Sequence, residues 1–362
     1  MLSGPGTFEL PVRAAGYSNK LLGNCRFFNL MYSQYGSKSF IAKLSKIGIL
    51  TFCLLLTPTP DLFAENQERL VINNESFPLE LDLEIGRFGT GRLYFDDPMD
   101  LSVNEDGDLF ILDAGNYRIQ VMDEDGDFLR KWNLRESSKE GFDEPVALAM
   151  SSDEDFLVVL DSEDSEIRKY DLDGELLGSF GESGIRKGTL DEPVDLTVDS
   201  LGYIYVLDRA RRKVLKFHKR GTFIDEWGKS GHSDKSFDDP ISIVYSDELT
   251  GIINVLDVGK KALLKFQRDG DFREIIPIPP GILENGTDFL KLESDKDNNL
   301  FILDAGLGKL VRLDSRSFSV YMLASDQLQM RRPRGLAVDE DSNVYISDIK
   351  RNRVYRFPME VN

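Results

Sequence analysis

The sequence predicts an all-β protein, a six-bladed β-propeller of four-stranded antiparallel blades. Three observations carry this prediction. A motif of an apolar run followed by Asp recurs six times, its period is near 47 residues, and each repeat divides into four short strands. A propeller blade typically takes about 40–50 residues, whereas a helical solenoid would show a 3.6-residue periodicity, which these repeats do not have.

The acidic residue of the repeat ends its second strand. Successive copies are 48, 47, 49, 47 and 44 residues apart. Because six equivalent positions indicate a repeated structural role, we expect these carboxylates to accept hydrogen bonds from turn amides or from the basic residue that opens the next strand. The six residues are Asp113, Asp161, Asp208, Asp257, Asp304 and Asp348.

The third repeat shows the four strands, a to d, most clearly. Strand a is centred on residues 195–198, strand b is YIYVL, strand c is KVLKF and strand d is TFIDEW. Strand b is almost wholly apolar, so we expect it to be buried on both faces between neighbouring blades. Two further columns repeat: the c–d turn glycines Gly126, Gly174, Gly221 and Gly270, and the aromatic residues Trp132, Phe180 and Trp227 near the end of strand d.

The ring is predicted to close by exchange of its ends. The sixth repeat stops after strand c (353–357), and the segment LELDLEIGRFG at 79–89 has the features of the missing strand d. We align its Phe88-Gly89 with Phe180-Gly181 and Trp227-Gly228 of the other blades. Such an interlock removes an open blade edge. Residues 79–362 are therefore expected to form one six-bladed domain.

Residues 1–64 have the composition of a leader, followed by a linker over 65–78. Lys38, Lys43 and Lys46 precede a 10-residue apolar run (47–56), and Ala64 follows two prolines. That order is typical of a secretory signal, and a short buried helix is the alternative. Residues 1–30 are interpreted as an upstream extension of the start. We expect export to the periplasm or the medium after cleavage near Ala64.

The apolar run is too short to cross a bilayer, which takes about 20 residues, so no membrane span is expected in the mature chain. Cys53 lies inside that run, where lipidation is not expected. Cleavage would remove it together with Cys25 and leave no cysteine for a disulfide.

Charge excludes several classes of function. The chain has 44 Lys and Arg against 63 Asp and Glu, a net charge of −19, and removing the six basic and two acidic residues of the leader gives −23. A nucleic-acid or anionic-membrane binder needs the opposite sign. The only histidines, His218 and His232, belong to the third repeat, so they cannot form a zinc site shared between blades.

The repeats resemble those of the NHL family. The first repeat carries Pro98, Asp113, Asn116 and Arg118, and the resemblance extends over roughly residues 79–357. The last repeat carries Pro333, Gly335, Asp339, Asp348 and Arg353, while the fifth departs with Phe289 in place of Pro. The resemblance implies a propeller fold. Related propellers include zinc amidating lyases and calcium-dependent lactonases, and some family members bind RNA.

The mouth of the central channel is the first candidate site. Strand a is innermost in a propeller, and acidic pairs precede its Pro in four blades, each pair ending in Asp97, Glu144, Glu192 or Asp239. Two residues after the Pro position the column reads Asp100, Ala147, Asp195, Ser242, Lys291 and Gly335, and blade 5 offers Asp288 before that column. Asp100 and Asp195 either bind a hard cation such as calcium or neutralise Lys291 through water.

The two faces of the ring are predicted to differ in charge. The a–b and c–d turns share one face and are strongly acidic, whereas the b–c turns lie on the other face and are basic. The basic residues are Arg209, Arg211, Arg212, Lys260, Lys261, Lys350 and Arg351. They are either ordinary solvated turns or a docking rim for an acidic protein or an anionic glycan.

From these features we expect an exported, monomeric, non-enzymatic binding scaffold with no cofactor and a protein or glycan partner. No nucleic-acid partner is expected. The alternative is a calcium-dependent hydrolase or lactonase with its site in the channel, built on Asp100, Asp195 and neighbouring carboxylates.

Overall fold

The computed structural model describes most of the chain from residue 71 onwards. The described residues are 71–73, 80–135, 142–231, 233–248, 250–280, 282–283, 290–306, 309–314, 319–323 and 330–359. The predicted leader, Asp288, Phe289 and His232 lie outside them.

Twenty-five strands are described, and the two nearest the N-terminus are β1 (Val71–Asn73) and β2 (Leu83–Ile85). Blades 1 to 3 contain β3 (Pro98–Val103), β4 (Leu109–Asp113), β5 (Arg118–Met122), β6 (Phe128–Asn133); β7 (Pro145–Met150), β8 (Leu157–Asp161), β9 (Glu166–Tyr170), β10 (Leu176–Phe180); β11 (Pro193–Val198), β12 (Ile204–Asp208), β13 (Lys213–Phe217) and β14 (Phe223–Trp227). Blades 4 to 6 contain β15 (Pro240–Ser246), β16 (Ile252–Asp257), β17 (Ala262–Gln267), β18 (Phe272–Pro277); β19 (Leu290–Ser294), β20 (Leu300–Asp304), β21 (Lys309–Leu313), β22 (Ser319–Leu323); β23 (Pro333–Val338), β24 (Val344–Asp348) and β25 (Arg353–Phe357).

The sheets form the predicted six-bladed propeller. Each blade is antiparallel in the order a, b, c, d, and the a strands of neighbouring blades contact one another all the way around the ring. Strand a therefore lines the central channel. Apart from one 3₁₀ turn, Ala114–Asn116, the described residues contain no helix, and so none that is long and apolar enough to span a membrane.

The core lies between the blades. Every residue of each strand b is buried, as the apolar runs predict. The apolar clusters join neighbours: Leu160 of blade 2 packs in one cluster with Val206 of blade 3, and Leu256 of blade 4 packs in another with Ile302 of blade 5. Each blade interface therefore contributes its own part of the core, and burial of apolar area is the main stabilising term.

The repeated Asp at the end of strand b has the predicted structural role. Asp257 is fully buried and accepts the amides of Asp238 (2.7 Å), Asp239 (3.0 Å) and Lys260 (3.0 Å). In the first blade, Asp113 accepts the Asp96 amide at 2.7 Å and also binds the Arg118 guanidinium at 2.7 Å. In the five blades whose residues before strand a are described, the carboxylate ties the start of strand a to the b–c turn, which satisfies amides that would otherwise be buried unpaired.

The two repeated columns, the c–d turn glycines and the strand-d aromatic residues, pack against each other across the blade interfaces. A Cβ on Gly174 would lie 2.5 Å from the Trp132 ring, and a Cβ on Gly270 would lie 2.7 Å from Trp227. Gly174 and Gly270 also have φ of +96° and +87°. The turn therefore requires glycine both for its backbone conformation and because the aromatic ring of the preceding blade occupies the space.

The ring closes through the N-terminal segment, as predicted, but the predicted register is wrong. In β2, Ile85 pairs with Val354 of β25, and Trp227 and Val214 pair in the same way in blade 3. Ile85-Gly86, and not Phe88-Gly89, therefore occupies the aromatic-Gly position. Phe88 lies beyond the strand and is 70% exposed.

The predicted linker contributes a strand to blade 5. Val71–Asn73 pairs in parallel with Ser319–Tyr321 at the outer edge of the blade, so this sheet has five strands. This strand lies outside the repeats, so the repeat pattern does not predict it. It covers an edge that would otherwise present unpaired amides and carbonyls.

Candidate functional site: the central channel

Three channel residues from alternate blades meet at the centre of the ring. The Lys291 ammonium lies 2.9 Å from Asp100 Oδ2 and 2.8 Å from Asp195 Oδ1. Lys291 is on blade 5, Asp100 on blade 1 and Asp195 on blade 3. The Lys291 side chain therefore links three of the six blades. The contacts are direct, whereas one of the two sequence-based interpretations placed water between these charges.

The local fold of strand a aims these side chains. In blades 1 and 3 the register slips between the Pro and the residue two positions later, so that Pro98 pairs with Asp113 while Asp100 pairs with Leu112. A bulge of this kind re-aims the following side chain. Gly335 fits the same column because a Cβ there would lie 2.8 Å from the Asp100 backbone.

The two carboxylates are also held by the adjacent blades. Asp100 Oδ2 accepts the Leu148 amide at 2.9 Å, and Asp195 Oδ2 accepts Ser242 Oγ at 2.6 Å and the Ile243 amide at 3.0 Å. Asp100 is 1% exposed and Asp195 is 2% exposed. The four polar residues of the predicted column, Asp100, Asp195, Ser242 and Lys291, thus belong to one hydrogen-bonded network around the channel.

Burial sets the ionisation of this network. It raises the pKa of Asp100 to about 6, an effect that Lys291 reduces and Asp195 increases. Burial alone would lower the pKa of Lys291, but the two carboxylates outweigh it and raise that pKa above its ordinary value. Lys291 therefore stays charged throughout the physiological range.

The ion-paired network divides the channel into two cavities. The turn-side cavity opens toward the a–b turns, has a volume of about 270 Å³, and includes Lys291, Glu293 and Thr197 in its lining. The loop-side cavity opens toward the b–c turns and has a volume of about 70 Å³. Its wall is a ring of residues that follow the Pro position: Met99, Val146, Val194, Ile241, Leu290 and Arg334.

Glu293 is a channel residue that sequence reasoning missed. It lies two positions after Lys291 on β19 and faces the turn-side cavity. Burial raises its pKa to about 7; Lys291 opposes this shift, and Asp100 and Asp195 add to it. Its column reads Ser102, Ala149, Thr197, Val244, Glu293 and Ala337, which has no repeated chemistry that would mark it in the sequence.

The acidic residues before strand a lie on the rim and not in the channel. Asp97, Glu144 and Glu192 are exposed and Asp239 is half-buried, and none of the four lines either cavity. Their backbones are what the fold uses, since the Glu144 and Glu192 amides donate to the buried Asp of strand b.

Much of the predicted basic rim is neutralised by these acids. Arg209 makes a bidentate contact with Asp239 at 2.7 and 3.1 Å, and Arg212 lies 3.9 Å from Asp238. Arg211 turns inward, donates to the Thr189 carbonyl and lies 3.9 Å from Glu226. The predicted basic residues thus divide into a paired group in blade 3 and a group in blades 4 and 6.

The second group is more accessible. Lys261 and Lys350 are exposed, Arg351 is half-buried, and Lys260 donates to the Ser233 carbonyl at 2.9 Å. Two large apolar side chains are exposed in the d–a loops of the same face, Phe88 at 70% and Ile185 at 94%. We call this the loop face.

The described residues contain no group of three or more His, Cys, Asp and Glu placed to hold a metal ion. Between Asp100 and Asp195, the position that a cation would take holds the Lys291 ammonium. Calcium binding at this pair would require Lys291 to move.

The fold is shared with solved propellers of different kinds. A streptogramin B lyase matches with a TM-score of 0.54 and 11% identity over 77% of this chain and 97% of that one. A catalytically inactive histidine-to-alanine variant of virginiamycin B lyase from Staphylococcus aureus, solved with quinupristin, matches with a TM-score of 0.52 and 13% identity over 75% and 82%. A protein of unknown function from Bacteroides thetaiotaomicron VPI-5482 has a TM-score of 0.56 and 13% identity over 76% of each chain.

No protein-family model and no curated protein matches the sequence. At the identities above, structural likeness establishes the propeller fold and nothing about activity. The NHL resemblance therefore stays an interpretation of the repeats.

Proposed function

We propose that this chain is an exported, non-catalytic scaffold that binds a protein partner on its loop face. The observation that carries the proposal is the state of the channel charges. Asp100, Asp195 and Lys291 bind one another and the backbone, so the groups best placed for catalysis serve to hold the ring together.

The loop face has the composition of a docking surface. Phe88 and Ile185 expose apolar area at loop positions, and Lys261 and Lys350 are exposed cations on the same face. Protein interfaces combine apolar anchors with a polar rim. We propose a partner that presents apolar and acidic side chains. Export rests on the signal-like order of residues 38–64 and is tested by fractionation of the host cell.

Site-specific photo-crosslinking in the producing cell tests the loop face. A crosslinking residue at Ile185 or Phe88 should give a discrete adduct, and Lys261→Glu with Lys350→Glu should weaken it. Ile224 and Leu129 are matched controls, because they are 43% and 41% exposed on strands d, away from the loops. Equal adducts at the controls, or none at Ile185 and Phe88, would contradict the proposal. An adduct with a polysaccharide would identify a glycan as the partner instead.

The calcium-dependent hydrolase is less well supported, because the Lys291 ammonium sits between its two predicted ligands. The lyase neighbours do not change this, since the described part of strand a places no histidine in the channel, and His218 lies at an outer c–d turn. A rise in Tm with calcium that EDTA reverses and Asp195→Asn abolishes would favour the hydrolase over the scaffold.

A further inference from the structure

We propose that the turn-side cavity binds a small organic cation, with the Glu293 carboxylate as its counter-ion. This site is on the opposite face from the proposed partner surface, so it is a separate function and does not depend on that partner. The cavity has a floor of ion-paired side chains, a net negative charge and a volume that suits a small amine.

The floor of the cavity is built by the buried network. Lys291 closes the channel, and Glu293 lies beside it in the cavity wall. One hydrogen bond to the Glu293 carboxylate is recorded among the described residues, from the Ser294 amide to Oε1 at 3.0 Å. Its other oxygen is thus available to a ligand. A carboxylate held in a partly dry cavity binds a cation more strongly than one in bulk water.

The charge of the cavity favours a cation. Asp100 and Asp195 carry two negative charges against the one positive charge of Lys291, and an ionised Glu293 adds a third negative charge. At the mouth, Asp247 and Lys296 are exposed, and their opposite charges offset each other. Arg334 lines the other cavity, beyond Lys291. An anion entering from the turn side would therefore meet net negative charge at the floor.

The size and polarity of the cavity indicate an amine that also carries hydroxyl groups. A volume of about 270 Å³ lies just below the range of roughly 300–1,000 Å³ that holds drug-sized ligands, which suits about a dozen non-hydrogen atoms. Hydroxyl and amide side chains line the wall, among them Ser102, Ser294 and Asn298. These groups can exchange hydrogen bonds with a polyol chain.

Binding of such a cation should depend on pH. Because the pKa of Glu293 is about 7, the carboxyl is mostly ionised at pH 8 and mostly protonated at pH 6. An alkyl ammonium stays charged across that range. Affinity for the cation should therefore fall at least about tenfold from pH 8 to pH 6, following the ionised fraction of Glu293, and partial protonation of Asp100, whose pKa is about 6, adds to the fall.

Three molecules of one shape test the proposal by titration calorimetry: glucamine (1-amino-1-deoxy-D-glucitol, a cation), sorbitol (neutral) and gluconate (an anion). Glucamine should bind to the unaltered chain at pH 8 at least tenfold more tightly than sorbitol, and gluconate should not bind. Glu293→Gln should sharply weaken glucamine binding, reduce the preference for glucamine over sorbitol, and remove the part of the pH dependence centred near 7. Glu340→Gln, an exposed substitution in an a–b turn of blade 6, should leave both unchanged.

Misfolding cannot imitate this result, because Glu293→Gln removes the cost of a buried charge and should unfold at a higher urea concentration than the unaltered chain at pH 8. The proposal is overturned if glucamine does not bind at tens of millimolar, if sorbitol binds as well as glucamine, or if Glu293→Gln binds glucamine as the unaltered chain does. The crosslinking result on the loop face is independent of all three outcomes.

Discussion

At the scale of single residues, Lys291 is the group on which the centre of the ring depends. It joins Asp100 and Asp195 across the channel, and both carboxylates are almost fully buried. Buried ion pairs contribute little relative to a well-packed apolar core, but removing one partner leaves an uncompensated buried charge. The ammonium is therefore required because the two carboxylates are present.

This dependence predicts a large effect of Lys291→Met. The substitution should lower the free energy of unfolding at pH 8 by about 3–5 kcal/mol, the typical cost of breaking a buried pair. Lys296→Met is the control, since Lys296 is an exposed lysine of the same blade and should change stability by less than about 0.5 kcal/mol. Urea denaturation of the two variants and the unaltered chain measures both values.

The deficit of Lys291→Met should shrink as the pH falls. The folded-state pKa of Asp100 is about 6, above its ordinary 3.8, so protonation favours the folded state and stability is lost as pH rises through 6. Without Lys291 that pKa rises further. The variant should therefore recover part of its stability at pH 5, and an equal deficit at pH 5 and pH 8 would contradict the role of Lys291 as counter-ion.

The sequence predicted part of this site and missed part of it for a physical reason. Asp100, Asp195 and Lys291 could be aligned because they share one offset from a repeated Pro position. Glu293 could not be recognised in the sequence, because its raised pKa comes from burial beside charges that other blades contribute in the folded ring. Charge pairing across blades was also not predictable: Arg209 and Asp239 meet only because the d–a loop of one blade lies beside the b–c turn of another.

At the scale of elements, the closing strand was predicted in the right place in the fold, but its residues were aligned with those of the other blades in the wrong register. The sequence alignment matched Phe88-Gly89 by residue type. Loop length gives the right answer, because Gly86, Gly181 and Gly228 each lie twelve residues before the Pro of the next strand a. The aromatic residue was the weaker guide, since Ile85 fills that position and packs on Gly126 of blade 1.

The corrected register predicts which side chain at this closure supports the fold. Ile85→Ala should lower the free energy of unfolding by about 1–2 kcal/mol, because Ile85 is partly buried against the next blade. Phe88→Ala should change it by less than about 0.5 kcal/mol, because Phe88 is 70% exposed. Urea denaturation distinguishes the two registers, since a register with Phe88-Gly89 in the aromatic-Gly position requires the opposite order of effects.

Between blades, long basic side chains repeat a second kind of contact. Lys169 donates to the Lys219 carbonyl at 3.1 Å, and Lys216 donates to the Arg268 carbonyl at 2.8 Å. In each case a strand-c lysine reaches the c–d turn of the following blade. Each lysine thus satisfies a turn carbonyl of the neighbouring blade.

At the scale of the whole molecule, the fold was predictable because each blade repeats the same strand pattern and turn chemistry. A ring of such units buries each strand b only when both of its neighbours are present. The open question for any propeller is how the first and last blades are joined. Here β2 makes this joint, pairing with β25 at residues 83–85.

Removal of β2 should therefore open the ring. A chain of residues 87–362 differs from a chain of residues 79–362 by this strand, and we expect its Tm to be lower by about 10 °C or more, with aggregation through the bare edge of β25.

The matched rescue is a permuted chain in which residues 79–86 follow residue 359 through a flexible turn. It should restore blade 6, because every other strand d follows its own strand c directly. Circular dichroism melts of the three chains separate two contributions of β2, its pairing with β25 and its linking of the two ends of the chain. A permuted chain that melts between the other two measures the stability owed to linking the ends, whereas a chain of residues 87–362 as stable as that of residues 79–362 would show that the ring does not depend on this closure.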